Sequence, residues 1–228
     1  MQRFFDIVLS GLALLFLIMP LVMIMMILRC TGEGEVFYIQ ERVGRGGKKF
    51  GVYKFATMLK NSASIGTGTV TLKNDPRVLP MGRVLRKSKI NELPQLFNIF
   101  GGSMSIIGPR PQTQRCFDAF PDHLQPEIIK VRPGLSGIGS IVFRNEEEMM
   151  DSADNADDIY NHQIMPYKGE LEKWYVENNS LFLYFACILL TVWVVATGKG
   201  GAVYKIFPSL PAPPDRLRAD IMGESHDV

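Results

Sequence analysis

The sequence predicts an α-rich α/β protein, made of one long apolar helix of membrane length and a small mixed domain. Three observations predict it: an uncharged apolar run over residues 7–28, a basic glycine-rich turn between two β-type stretches within residues 36–55, and helically spaced apolar residues further on. With 228 residues, 46% hydrophobic and 21% charged, the chain has enough apolar side chain for a core, which excludes global disorder. The formal charge of +2 hides an asymmetry. Residues 1–115 hold 16 Lys and Arg against 6 Asp and Glu, net +10, whereas residues 116–228 hold 9 against 17, net −8. A basic half meets anions: nucleic acid, phosphates or acidic lipid. The long apolar run and the lack of any nucleic-acid-binding motif argue against nucleic acid. Cys30, Cys116 and Cys187 form no CxxC pair, and His123, His162 and His226 show no HExxH spacing, so a disulfide framework or a His-based metal site has no support.

Taken in order, residues 7–28 form 22 uncharged residues flanked by Arg3 and Asp6 before and Arg29 after. About 20 apolar residues cross a bilayer as a helix. The run is too long for a cleaved signal peptide, and no small-x-small cleavage site follows it. Pro20, near its middle, removes a helix hydrogen bond and predicts a kink. A kinked spanning helix and a re-entrant helix that turns near Met19-Pro20 both fit; basic residues outside both ends favour the second. Ser10 is a candidate partner for backbone groups freed at the kink.

Val36-Phe37-Tyr38-Ile39 and Phe50-Gly51-Val52-Tyr53-Lys54-Phe55 read as strands around a basic turn at residues 42–49, which lacks the GxxxxGK[ST] order of a phosphate loop. Residues 61–74 read as a loop. Asp75-Pro76-Arg77 starts a turn, and Gly82 to Arg86 opens a basic helix. Asn91 suits a helix cap before Pro94, with Leu93, Leu96, Phe97 and Phe100 as its core-facing residues. Glu92 then lies near a helix N-terminus. Gly108-Pro109-Arg110-Pro111 and Arg132-Pro133-Gly134 are stiff turns that project guanidinium groups suited to phosphate. Residues 151–158 are acidic and read as a solvated loop or helix start. Residues 181–197 form a second uncharged stretch, 17 residues long. An interfacial position is favoured over a span, with Trp174, Tyr175 and Trp193 as an aromatic belt. The prolines at 208, 211, 213 and 214 predict an exposed tail.

Arg3-Phe4-Phe5-Asp6, the apolar run with Pro20, Gln40-Glu41-Arg42-Val43-Gly44, and Tyr53-Lys54-Phe55-Ala56-Thr57-Met58 open an ordered series. Asp75-Pro76-Arg77, Leu85-Arg86, Glu92-Leu93-Pro94-Gln95, Met104 through the Gly108-Pro109-Arg110-Pro111 turn, and Arg132-Pro133-Gly134 complete it. This series resembles the bacterial sugar transferases, the monotopic polyprenyl-phosphate phosphoglycosyl transferases, from about residue 3 to 191, in their minimal catalytic form. The resemblance implies a re-entrant membrane helix over residues 1–30, a cytoplasmic catalytic domain with interfacial helices and a short β-hairpin over residues 31–205, and an exposed tail over 206–228.

The implied reaction moves a sugar-1-phosphate from a UDP-sugar to undecaprenyl phosphate at the inner membrane, with Mg²⁺ as cofactor and UMP as product. The implied partners are the nucleotide-sugar donor, the undecaprenyl phosphate acceptor and inner-membrane lipid, and a homo-oligomer stays open. Two anionic phosphates must meet, and cations from the basic half suit that task. The implied catalytic pair is Asn91 and Glu92, with Glu92 as metal ligand. Lys54, Arg77, Arg86, Arg110 and Arg132 are candidates for phosphate or nucleotide contact, and Arg144, near Glu146 and Glu147, for the donor. Some of these arginines serve ion pairs instead, Arg86 with Glu92 first among them.

The family has Asp where this chain has Asn91, and Ala56 and Ser103 depart from it in lesser ways. A neutral amide is a poor nucleophile. Four readings stand side by side: an engineered replacement, Glu92 as nucleophile, direct attack by the lipid phosphate with Asn91 orienting the donor, and a catalytically silent scaffold or regulator.

Overall fold

A computed structural model describes residues 1–62, 75–144, 146 and 156–222. The chain divides into two compact units: residues 4–41 with 51–102, and residues 1–3 with 42–50 and 103–228. Helices dominate, and the strands described form two two-stranded sheets, so the α-rich α/β class holds.

In the first unit, α1 (Gln2–Cys30, whose first two residues group with the second unit) is one helix of 29 residues with Pro20 inside it. It is long and apolar enough to cross a membrane by length and composition. Leu14, Leu17, Leu21, Ile24, Met25 and Leu28 recur at helical spacing and pack with Phe55 and Leu85. The opposite face leaves Leu15, Phe16, Met19 and Met23 exposed. Ser10 Oγ donates to Asp6 O at 2.5 Å, within its own turn of the helix and away from the gap that Pro20 leaves.

The hairpin forms where the β-type stretches predict it, as β1 (Phe37–Val43) and β2 (Lys49–Phe55). α2 (Pro80–Lys87) follows, with Pro80 in its first turn. α3 (Gln95–Gly101) starts later than expected. A 3₁₀ turn, Ile90–Glu92, comes first, entered through Lys89 at φ 58°, and Asn91 lies inside that turn rather than capping a helix. Leu96 and Ile99 are buried, while Phe97 and Phe100 are each 49% exposed, against the expected core role of the two phenylalanines.

In the second unit, β3 (Ser105–Ile107) pairs in parallel with β4 (Gly134–Ser136), Ser105 opposite Gly134 and Ile107 opposite Ser136. The hairpin tip joins this unit through Val43 N–H to Gln112 O (2.9 Å) and Gly46 N–H to Ile129 O (2.8 Å). The core gathers Val43, Phe117, Phe120, Leu124, Ile128 and Met165. Beyond β4 come α4 (Ile138–Val142), α5 (Met165–Glu177), α6 (Leu181–Thr197) and α7 (Asp215–Met222). α6 buries Leu183, Tyr184, Cys187, Leu190 and Val194 on one face, and exposes Phe182, Leu189, Val192 and Trp193 on the other.

Two expectations change here. Tyr175 is buried, its Oη donating to Ile107 O at 3.1 Å, so it is not part of an aromatic belt. The segment expected as an exposed tail buries Phe207, Leu210, Leu217 and Ile221, and Tyr167 Oη ties it down through Pro211 O at 2.8 Å. The acidic stretch at 151–158 and the loop at 61–74 fall mostly outside the described residues.

Candidate active site

In the first unit the site is assembled by β2 and the turn before α3. Asn98, on α3, docks that helix on β2. Its Oδ1 accepts from Tyr53 N–H at 2.9 Å and its Nδ2 donates to Gly51 O at 2.8 Å, as a neighbouring strand would. The docking brings Lys54 beside the 3₁₀ turn, and Lys54 Nζ lies 3.6 Å from Glu92 Oε1. The two side chains keep 19% and 17% of their surface exposed, so the pair remains open to a ligand. Asn91 beside them is 9% exposed, and its Oδ1 has no hydrogen-bond partner among the described residues. An orphaned buried carbonyl costs about 1–3 kcal/mol, a penalty that a ligand can relieve.

Two expected phosphate contacts are placed otherwise. Arg77 is 4% exposed, and its guanidinium is engaged by Asp75 (Nε–Oδ1 2.9 Å, Nη2–Oδ2 2.6 Å) and by Ser62 O at 2.7 Å. The Asp75-Pro76-Arg77 motif is therefore a folded ion pair, with Asp75 Oδ1 also accepting from Arg77 N–H at 3.0 Å. Arg86, half-buried on α2, reaches Met58 Sδ at 3.6 Å. The arginine that serves as the buried structural partner is thus Arg77.

The second unit carries Arg110, Arg132 and Arg144. Arg110 and Arg132 are half-buried and flank β3 and β4; Arg144 is exposed. Glu146, expected near Arg144, pairs with Lys168 at 2.7 Å, and Glu147 lies outside the described residues. The two arginine-bearing turns are pressed together backbone to backbone. A Cβ on Gly134 would lie 2.1 Å from Gly108 N, and one on Gly108 would lie 2.4 Å from Arg132 O. Gly134 N–H donates to Pro109 O at 2.8 Å. Only glycine permits that approach, so Gly108 and Gly134 fix where both arginines leave the backbone.

Beneath this turn lies a group that sequence reading missed. Glu172 on α5 is 1% exposed, and its Oε1 accepts from Arg110 N–H at 3.3 Å. Its Oε2 has no hydrogen-bond partner among the described residues. Burial pushes the carboxyl up to about 7, against the pull of the Arg110 N–H, Lys168 and Arg110 charges. The signal available in the sequence was spacing: Lys168, Glu172 and Tyr175 fall on one face of a helix.

A family model described as bacterial sugar transferase matches residues 1–198. The chain is 35% identical over 178 residues to the UDP-N-acetylgalactosamine-undecaprenyl-phosphate N-acetylgalactosaminephosphotransferase of Aeromonas hydrophila, covering 76% of this chain and 38% of that protein. It is 31% identical over 213 residues to the exopolysaccharide production protein ExoY of Rhizobium meliloti, covering 87% of each. It is 30% identical over 214 residues to the undecaprenyl-phosphate galactose phosphotransferase of Salmonella typhimurium, covering 88% of this chain and 41% of that protein. The chain thus spans about two-fifths of the two named phosphotransferases and most of ExoY.

Proposed function

Because the chain belongs to the bacterial sugar transferase family, we propose that it transfers a sugar-1-phosphate from a UDP-sugar to undecaprenyl phosphate, releasing UMP. The observation that carries this reading is the Lys54–Glu92 pair beside the orphaned Asn91 Oδ1, an open cation–carboxylate cluster in the unit that also bears the apolar helix.

In the proposed step an acceptor phosphate oxygen attacks the donor's β-phosphorus. The bond from that phosphorus to the oxygen bridging the two donor phosphates breaks, and the bridging oxygen leaves with UMP. Asn91 is a neutral amide and orients the donor through Oδ1 or Nδ2 rather than attacking. The Lys54 ammonium, 3.6 Å from Glu92, draws on the carboxylate's electron pair and weakens it as a nucleophile. Direct attack is therefore preferred to a Glu92 adduct. Lys54 supplies positive charge to phosphate at this cluster, and Arg110, on the stiff turn of its own unit, is proposed as a ligand for the donor diphosphate.

Among the described residues no three His, Cys, Asp or Glu cluster as a protein-only metal cage. Magnesium is commonly held by one or two carboxylates plus substrate phosphates, and Glu92 with Asn91 Oδ1 suits that sparse arrangement. When bound, Mg²⁺ would neutralise phosphate charge.

The deciding experiment measures UMP release from a panel of UDP-sugars with undecaprenyl phosphate, on the natural chain, Asn91→Asp and Glu92→Gln. Direct attack predicts turnover by the natural chain, loss of about 100-fold or more in Glu92→Gln, and no phosphosugar attached to protein. A phosphosugar on Glu92 would overturn direct attack. Donor binding without turnover, with turnover restored in Asn91→Asp, would establish the silent-scaffold alternative that Asn91 motivates.

α1 is proposed to enter the inner membrane from the cytoplasmic face, bend at Pro20, and return. What supports this reading is the basic residue outside each end of the apolar run, Arg3 before it and Arg29 after it, since basic residues favour the cytoplasmic face.

A further inference from the structure

Pro109 and Pro111 have no N–H, so the Arg110 amide is the only backbone donor in residues 109–111. Glu172 takes that donor at 3.3 Å. Three residues along the same face of α5, Tyr175 Oη donates to Ile107 O at 3.1 Å. One helix therefore grips the turn on both sides of Gly108-Pro109. Both gripping side chains are 1% exposed, where leucine would be cheaper to bury than a carboxyl. The surroundings are cut to fit the carboxyl: a Cβ on Gly139 of α4 would lie 2.5 Å from Glu172 Oε1. Among the described residues, the charged or titratable groups that interact with Glu172 are Lys168 on its own helix, Arg110 on the turn and Cys187 on α6.

We propose that Glu172 and Tyr175 form a backbone clamp that fixes residues 107–110 and thereby positions the Arg110 guanidinium for the donor diphosphate. Both are positioning residues, acting through the turn without touching substrate. The inference rests on the donor-binding role given to Arg110 above.

The test uses the full chain in detergent and two readouts that need no turnover. One is amide exchange of the peptide spanning residues 105–112. The other is affinity for UDP, measured calorimetrically. Glu172→Ala and Tyr175→Phe are expected to speed exchange and to weaken UDP binding about 10-fold, the scale of one hydrogen bond. Glu172→Gln, which keeps an acceptor oxygen, retains both. In an Arg110→Ala background the clamp variants add no further loss of affinity, because the side chain they position is gone.

Tyr175→Phe carries the test if Glu172→Ala fails to fold. Unchanged exchange in folded variants, or affinity losses that add to that of Arg110→Ala, overturn the clamp. Faster exchange with UDP affinity untouched by Arg110→Ala overturns the donor-binding role of Arg110, and its positioning with it. UMP release by the natural chain reports separately on the proposed function.

Discussion

Asn91, Glu92 and Lys54 were legible one by one because each stands in a spaced motif, and the structure brings the three together. Arg77 was not legible, because sequence shows a cation without showing what it faces. Its partner is Asp75, two residues back, and the pair is sealed from solvent. Arg77→Ala therefore acts on folding first. Stranding the Asp75 carboxylate should cost about 3–5 kcal/mol, read as a fall in the denaturation midpoint of the detergent-solubilised protein.

Glu172 was illegible for another reason: nothing local marks a carboxylate as buried. Its carboxyl is raised in the folded protein from 4.5 to about 7. The folded state then holds that proton more tightly than the unfolded state. Its contribution is fully present below pH 4.5 and is lost as pH rises through about 7. Glu172→Gln should flatten that decline and leave the protein more stable at pH 8 by roughly 3 kcal/mol, checked by melting curves across pH 5–8.

At the scale of elements, the hairpin was the most legible part, because β-type residues on both sides of a glycine-rich turn leave few alternatives. α3 was the least legible. Helical spacing marks Leu93, Leu96, Phe97 and Phe100 as one apolar face, but spacing does not say how far round the helix the core extends. Phe97 and Phe100 are each half exposed, and the Phe100 ring also lies against Gly11 of α1. Replacing Phe97 with Ser should leave folding intact and reduce co-sedimentation with anionic phospholipid vesicles several-fold, since a half-exposed large side chain withdrawn from lipid costs about 1 kcal/mol, half or less of the full-burial value. Gly134→Ala tests a tighter constraint. Its Cβ would meet Gly108 N at 2.1 Å, and backbone has no rotamer with which to yield. UDP affinity should fall together with thermal stability, because the turn that carries Arg110 and the sheet beneath it are one structure.

At the scale of the whole molecule, the cations of the +10 half are shared between the two units. Lys54 and Arg86 belong to the first unit, and Arg110 and Arg132 to the second. The sequence showed the charge excess but not its division, because the chain leaves the first unit at residue 42, returns at 51, and leaves again after 102. The re-entrant arrangement proposed for α1 has a direct test. If both ends of α1 face the cytoplasm, cysteines at position 2 and at Cys30 should resist a membrane-impermeant maleimide in intact spheroplasts and react after lysis. Labelling of position 2 alone before lysis would show a spanning helix.

The docked stripe on α1 sets an order of events during synthesis. α1 is complete once residue 30 is made, but Phe55, Leu85, Ile90 and Leu93, against which it rests, are translated later. At about 5–20 residues per second the helix waits on the order of several seconds for its protein cover. Over that interval it is a bare apolar rod on a ribosome. A bilayer or a chaperone must shelter it, so delivery to the membrane would precede the folding of the unit that the helix completes.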